Sequence, residues 1–285
     1  MDLSCLFVNF YGYKLQRSCC NGKYSCGMRA YKVEKSLQHS KTPGLKRLLV
    51  EDNINIDHAV EEILLIKSVS PEVYPQFGHA LKTCLCQICG YRQLIQQLEI
   101  IRKTKYSSEN HQHEAMIMQL WETLMPNEPL ESRISKQWQE IGFQGDDPKT
   151  DFRGMGLLGL QNLVFFVTQF TDTARQVFSH SLHPQMGYSF AIVGINLSHM
   201  TYQLMQSGAL KTHFYNLVLG KPRIEHFHQV YCYLFFEFDK FWFSEKPRDI
   251  MEFNRIKEKF QRKILTQLKN KSTTLHSGFV QESSV

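Results

Sequence analysis

The stretch Trp138–Phe170, WQEIGFQGDDPKTDFRGMGLLGLQNLVFFVTQF, changes character twice within 33 residues. A polar loop rich in Gly and Asp (Gln144–Asp151) meets the junction Phe152-Arg153-Gly154, and an uncharged, largely apolar run follows from Met155 to Phe170. The run is long enough for four helical turns and reads as a buried helix. Asp147-Pro148 fixes a turn, because proline sets its own φ and biases the preceding residue away from helix. Thr150 or Asp151 is placed to cap the helix that follows. Arg153 then falls in that helix's first turn, where the exposed amides disfavour a cation. Two explanations stay open: Arg153 pairs with Asp146, Asp147 or Asp151, or it is held ready for a phosphate.

Outward from this stretch the chain repeats three/four apolar spacing. Ala59, Val60, Ile63, Leu64 and Ile66 mark one helix, with Asp57 as its expected cap and Ser70-Pro71 as its stop. A longer helix is expected from about Gln76 to Arg102, and another through Ala115–Leu124 ended by Pro126. Leu130–Ile141 reads as a short amphipathic helix carrying Ile134 and Trp138. Beyond Phe170, helices are expected near Asp172–Ser181, Tyr188–Met205, Arg223–Phe243 and Asp249–Lys269, with a segment at Leu210–Leu217 leading into the aromatic one. Residues 1–50 lack clear periodicity, with one short helix expected near Tyr31–Ser36, and residues 271–285 are Ser-rich and expected to fray. Period-two runs with hairpin turns are missing, so the expected fold class is all-α.

The 285 residues, 42% of them hydrophobic and 12% aromatic, suffice for a sizeable core. A net charge of +6 is moderate and spread along the chain, so nucleic acid is not the expected partner. The aromatic segment Phe227–Phe243 is broken by Glu237, Asp239 and Lys240, which favours buried core over a membrane span. Asp2 argues against a signal peptide and against myristoylation, so the eight cysteines are expected to be reduced in the cytoplasm. The apolar start, with Cys5, Cys19 and Cys20 as candidate palmitoylation sites, suggests peripheral contact with a membrane.

Several motifs invite chemistry and withstand it poorly. Gly154-Met-Gly156-Leu-Leu-Gly159 fits the dinucleotide fingerprint, but no strand enters it and no βαβ unit surrounds it. Cys86-Gln-Ile-Cys89 has no second pair for zinc and lies on a core-like helical pattern. His111/His113 and His226/His228 are two residues apart, which turns them to different helix faces. No metal site and no cofactor of the chain's own is expected.

The motif Trp138-x-x-x-Gly142-Phe143-Gln144-Gly145-Asp146-Asp147-Pro148-Lys149-Thr150-Asp151-Phe152-Arg153-Gly154-Met155-Gly156 resembles the signature of the ELMO domain, most closely the ELMO-domain-containing (ELMOD) subfamily. Arg133-Ile-Ser-Lys-Gln-Trp138, Gly187–Asn196 and Glu237-Phe-Asp-Lys-Phe-Trp242 resemble it too. The resemblance implies an all-α, multi-helical ELMO-type domain over residues 106–270, with helices of residues 51–105 packed on it, an extension at 1–50 and a disordered tail at 271–285. It also implies GTPase-activating activity toward Arf-family GTPases, Arf-like ones included, with Arg153 as the catalytic finger. GTP and Mg²⁺ would then belong to the partner. Asp147, Asp151, Gln144 and Gly154 are the expected orienting residues, and Trp138, Phe143 and Phe152 the expected partner contacts. Peripheral association with endoplasmic reticulum, Golgi or other organelle membranes is the expected location. A non-catalytic module that binds small GTPases or their exchange factors is the alternative the sequence leaves standing.

Overall fold

In the computed structural model, residues 26–51 and 54–275 are described, and among them there is no strand. They form eleven α-helices: α1 Cys26–Gln38, α2 Pro43–Arg47, α3 Ile56–Ile66, α4 Pro75–Lys103, α5 His111–Leu124, α6 Gly156–Gln169, α7 Thr171–Ser181, α8 Phe190–Gln206, α9 Lys211–Leu217, α10 Ile224–Ser244 and α11 Phe253–Leu268. Three 3-10 helices, Lys136–Ile141, Pro148–Arg153 and Ile250–Glu252, complete the set. The all-α expectation holds. The expected lipidation and membrane-contact residues Cys5, Cys19 and Cys20 lie outside the described residues, as does the chain after Leu275.

Two compact units divide the chain, and the division falls inside α4 rather than at its end. The first runs to Ile95 and takes in Ala209–Arg223 and Leu268–Thr274. Here α9 packs along α1, fastened by Gly27 N–H to Asn216 Oδ1 (3.0 Å) and by Lys211 Nζ to Glu34 (2.5 Å). The buried Gln87 of α4 donates to the carbonyls of Tyr215 (2.9 Å) and Val218 (2.5 Å), which closes the C-terminal end of α9.

The second unit holds residues 96–208 and 224–267 and is built around α6. Helices α5, α7, α8 and α10 all pack on it. Leu158, Leu160, Leu163, Phe166 and Val167 are fully buried, as a helix apolar on every side requires. Gly194 of α8 permits close approach: a Cβ there would stand 2.5 Å from Leu163 Cδ2 and 2.8 Å from the Tyr231 hydroxyl. Phe227, Tyr231, Phe235, Phe238 and Trp242 fall on one stripe of α10 and are buried. That stripe makes the aromatic segment core, and no described helix is long and apolar enough to cross a membrane.

Several boundaries moved for physical reasons. The first described helix is Cys26–Gln38, well beyond Tyr31–Ser36. Asn55, not Asp57, caps α3, accepting from the amides of Asp57 and His58 (3.0 and 3.2 Å). The stretch expected to be a helix from Leu130 is irregular until Ser135 caps a 3-10 turn at Lys136–Ile141, and Ile134 is exposed. Gly142 ends that turn with φ +90°, and a Cβ there would sit 2.4 Å from Phe190 N. The charged C-terminal helix opens with the short turn Ile250–Glu252, capped by Asp249, before α11 begins.

Candidate functional site

Arg153 is exposed, and the chain around it is folded differently from the expected single helix. Asp147 Oδ1 accepts the Lys149 amide (3.0 Å) and so caps a separate 3-10 helix, Pro148–Arg153, with Pro148 in its first turn. Helix α6 starts only at Gly156, with no side-chain cap. Neither Thr150 nor Asp151 caps it. The break lies at Gly156, whose φ is +52° and whose Cβ would lie 2.2 Å from the Arg102 carbonyl oxygen. An L side chain is excluded there by strain and by backbone contact. Arg153 therefore ends one helix instead of beginning another. A cation at a helix C-terminus is electrostatically favoured, which removes the anomaly read from the sequence.

The turn rests on aromatic rings. Trp121 meets Trp138 edge-on (5.5 Å), Trp138 meets Phe143 (5.9 Å), Phe143 meets Phe152 (5.7 Å), and Phe152 lies against Tyr106 (5.7 Å). Trp138 Nε1 donates to the Arg133 carbonyl at 2.9 Å. Trp138, Phe143 and Phe152 are 0%, 4% and 2% exposed, which leaves no ring surface for a partner. This corrects their expected role as partner contacts: they form the floor that sets the height of the turn. Such edge-on ring pairs fix relative orientation as well as burying area.

The three acids of the loop are each used elsewhere. Asp147 forms an ion pair with Arg133 Nη1 (3.2 Å), Asp146 Oδ1 accepts from Gln139 Nε2 (3.1 Å), and Asp151 Oδ2 accepts the Gln144 amide (2.9 Å). Arg153 has no carboxylate within ion-pair distance among the described residues; its Nε donates to the Thr150 carbonyl at 2.9 Å. The expected ion pair is thus replaced by an anchor to backbone, and the two terminal guanidinium nitrogens have no partner among the described residues. Asp151 interacts with Arg153 through space rather than by a hydrogen bond. Partial burial raises its carboxyl pKa, while the Gln144 amide and then the Arg153 charge act in the opposite direction.

Beside Arg153 lies an open cavity of about 480 Å³, lined on the loop side by Gln144, Gly145, Thr150, Asp151 and Arg153. Its far wall is one face of α8, formed by Ile192, Ile195 and Asn196. Asn196 is set by its donation to the Ile192 carbonyl (2.9 Å) and faces Lys257 Nζ of α11 at 3.4 Å. A Cβ built on Gly145 or Gly154 meets nothing within 4 Å, so both backbones stand open. The sequence held no sign of this second wall, because an Ile pair three residues apart on a buried helix looks like ordinary core. It gave none of Arg133's role either.

The remaining motifs are accounted for by packing. Cys89 is buried on α4 and Cys86 half-buried. His113 Nδ1 accepts the Ser107 amide (3.1 Å), and His228 Nδ1 donates to Asn162 Oδ1 (2.7 Å), so neither shares a ligand with the histidine two residues before it. Among the described residues no three His, Cys, Asp or Glu side chains converge as metal ligands.

Fold and site together define a helical protein that presents one arginine from a short capped turn above a mixed polar and apolar cavity. The description "ELMO/CED-12 family" matches residues 96–257, and human ELMO domain-containing protein 2 is 53% identical over 85% of this chain and 82% of its own length. Human ELMO domain-containing protein 1 is 49% identical over 93% of the chain and 87% of its own length. ELMO domain-containing protein B of Dictyostelium discoideum is 33% identical over 88% of each. The chain belongs to the ELMO/CED-12 family.

Proposed function

We propose that this protein is a GTPase-activating protein for Arf-family small GTPases, Arf and Arf-like, and that Arg153 is the arginine finger it supplies in trans. Family membership supports a role connected with small GTPases. The observation that carries the finer reading is the state of Arg153: exposed, with no carboxylate within ion-pair distance among the described residues, and anchored through Nε to the Thr150 carbonyl. That anchor leaves both terminal nitrogens for bidentate contact with phosphoryl oxygens.

In phosphoryl transfer, charge spreads over the γ-phosphoryl and leaving oxygens, and a cation delivered there stabilises it. An arginine supplied this way contributes about 10³–10⁵ in rate, or roughly 4–7 kcal/mol. This chain's residues bind, orient and exclude water; the nucleotide and Mg²⁺ are the partner's. Asp151 fastens Gln144 to the turn, Gly154 keeps the approach open, and the α8 face receives the partner surface that flanks its nucleotide. Asp147 shapes the turn as its cap.

The test is single-turnover GTP hydrolysis by a panel of Arf-family GTPases with wild type and Arg153→Ala, paired with a binding measurement. Loss of stimulation with retained binding supports the finger. Binding without stimulation by the wild type would instead mark a non-catalytic interaction module.

A further inference from the structure

Beneath the Arg153 turn lies a charge network that the proposed reaction does not touch. Arg133 precedes the 3-10 helix Lys136–Ile141, and its side chain is only 25% exposed. Its Nε meets Glu114 at 2.6 Å, its Nη1 meets Asp147 Oδ1 at 3.2 Å, and its Nη2 donates to the Tyr106 hydroxyl at 2.8 Å. Tyr106 in turn donates to Glu114. The guanidinium also lies over the rings of Tyr106 and Trp138, 5.8 and 5.7 Å from their centroids. All three guanidinium nitrogens are engaged, so its position is over-determined.

The oxygen Arg133 holds is the one that caps the turn. Asp147 Oδ1 takes both the Arg133 Nη1 and the Lys149 amide. A six-residue 3-10 helix has too few internal hydrogen bonds to hold its own shape. At its far end the chain is fixed by Gly156 against the carbonyls of Arg102 and Thr104, with the Leu157 amide donating to Thr104 O at 2.9 Å. At its near end the cap residue Asp147 is held by Arg133, beside the Asp146–Gln139 and Asp151–Gln144 hydrogen bonds of the loop.

We propose that Arg133 is a positioning residue for Arg153, acting through Asp147; this rests on the reading of Arg153 as a finger. Arg133 does not touch the partner. It holds the capping carboxylate in one rotamer, so that the turn delivers the guanidinium of Arg153 to one place. Lys cannot substitute, because an ammonium does not offer the planar fork that reaches three acceptors in different directions.

The test compares Arg133→Met, Asp147→Ser and the double variant. Serine keeps the cap but is too short to reach Arg133, so Asp147→Ser breaks the tether without removing the cap. Each single variant is expected to lower the maximal stimulated rate about 10–100-fold, as misplacing a catalytic group by about 1 Å does. The concentration for half-maximal stimulation is expected to stay within about threefold, because binding contacts are intact. The double variant is expected to match the singles, since both break one link. Losses that multiply, or a maximal rate that stays at wild type, overturn the proposal. Solvent exchange of the Arg153 Nε–H, read by NMR in the free protein, supplies a measurement independent of any GTPase: faster exchange in both variants supports the tether, and unchanged exchange overturns it. If the wild type stimulates no Arf-family GTPase, the functional reading fails and the exchange rates still decide the tether. Should Arg133→Met not fold, Asp147→Ser carries the same comparisons.

Discussion

At the scale of single residues, the account turns on how one cation is held without being neutralised. Anchoring Arg153 through Nε to a carbonyl costs no charge, whereas an ion pair with Asp151 would have to be broken on docking. Arg153→Lys is accordingly expected to leave thermal stability within about 0.5 kcal/mol, because the side chain is exposed, while removing most of the stimulation. Gly156→Ala is expected to do the reverse of such a silent change. Its Cβ would collide with the Arg102 carbonyl at 2.2 Å and occupy φ +52°, so a loss of about 3 kcal/mol or more should appear in chemical denaturation. Asp151 gives a pH signature. Its carboxyl pKa is raised in the fold, so the folded state holds that proton more tightly, and stability is lost as pH rises from the unfolded value through the folded one. Asp151→Asn keeps an acceptor for the Gln144 amide, so the melting temperature of the variant relative to wild type should climb over that rise. The arginine and its proline turn were legible in the sequence; the cap was not, since Asp147 rather than Thr150 or Asp151 supplies it, and to a separate 3-10 helix. The helix break at Gly156 was not legible either, because its cause is the carbonyls of Arg102 and Thr104 at the end of α4, some fifty residues away in the chain.

At the scale of elements, α6 is legible as a buried helix because it carries no charge, but its polar residues needed the structure. Asn162 donates to Ser198 Oγ (2.9 Å) and accepts from His228 (2.7 Å), so a hydrogen-bonded chain crosses from α6 to α8 and α10 inside the core. Burial, opposed slightly by Glu225, depresses the His228 pKa to about 4. A histidine kept neutral by the fold contributes stability that is present above its unfolded pKa and lost as pH falls through the folded one. Between pH 6.5 and about 4 the protein is expected to lose about 3 kcal/mol from this group. His228→Gln should flatten that part of the stability curve in urea denaturation at a series of pH values. Trp138 belongs to this scale too: its ring links Trp121 to Phe143 under the turn, and Trp138→Ala should cost about 3–5 kcal/mol. The short 3-10 elements were the hardest to read, since six residues carry too little periodicity and their caps look like loop.

At the scale of the whole molecule, chain order and folding unit do not coincide. Residues 209–223 belong with the part of the chain before Ile95, where α9 packs on α1 and Phe214 and Tyr215 lie edge-on to Tyr91 at 5.6 and 5.9 Å. A fragment beginning at residue 96, as the family match does, strips α9 of that cover. It is expected to expose Phe214 and Tyr215, bind a hydrophobic dye and aggregate where the full chain does not. Helical periodicity could not foresee this, because it marks which face of α9 is buried and not which helix covers it. The central claim nevertheless rests on one side chain, and its most direct measurement is single-turnover hydrolysis by Arf-family GTPases with wild type and Arg153→Lys. The account expects a fall of about 10³-fold or more in the stimulated rate with partner binding retained. Full stimulation by a folded Arg153→Lys protein would contradict it.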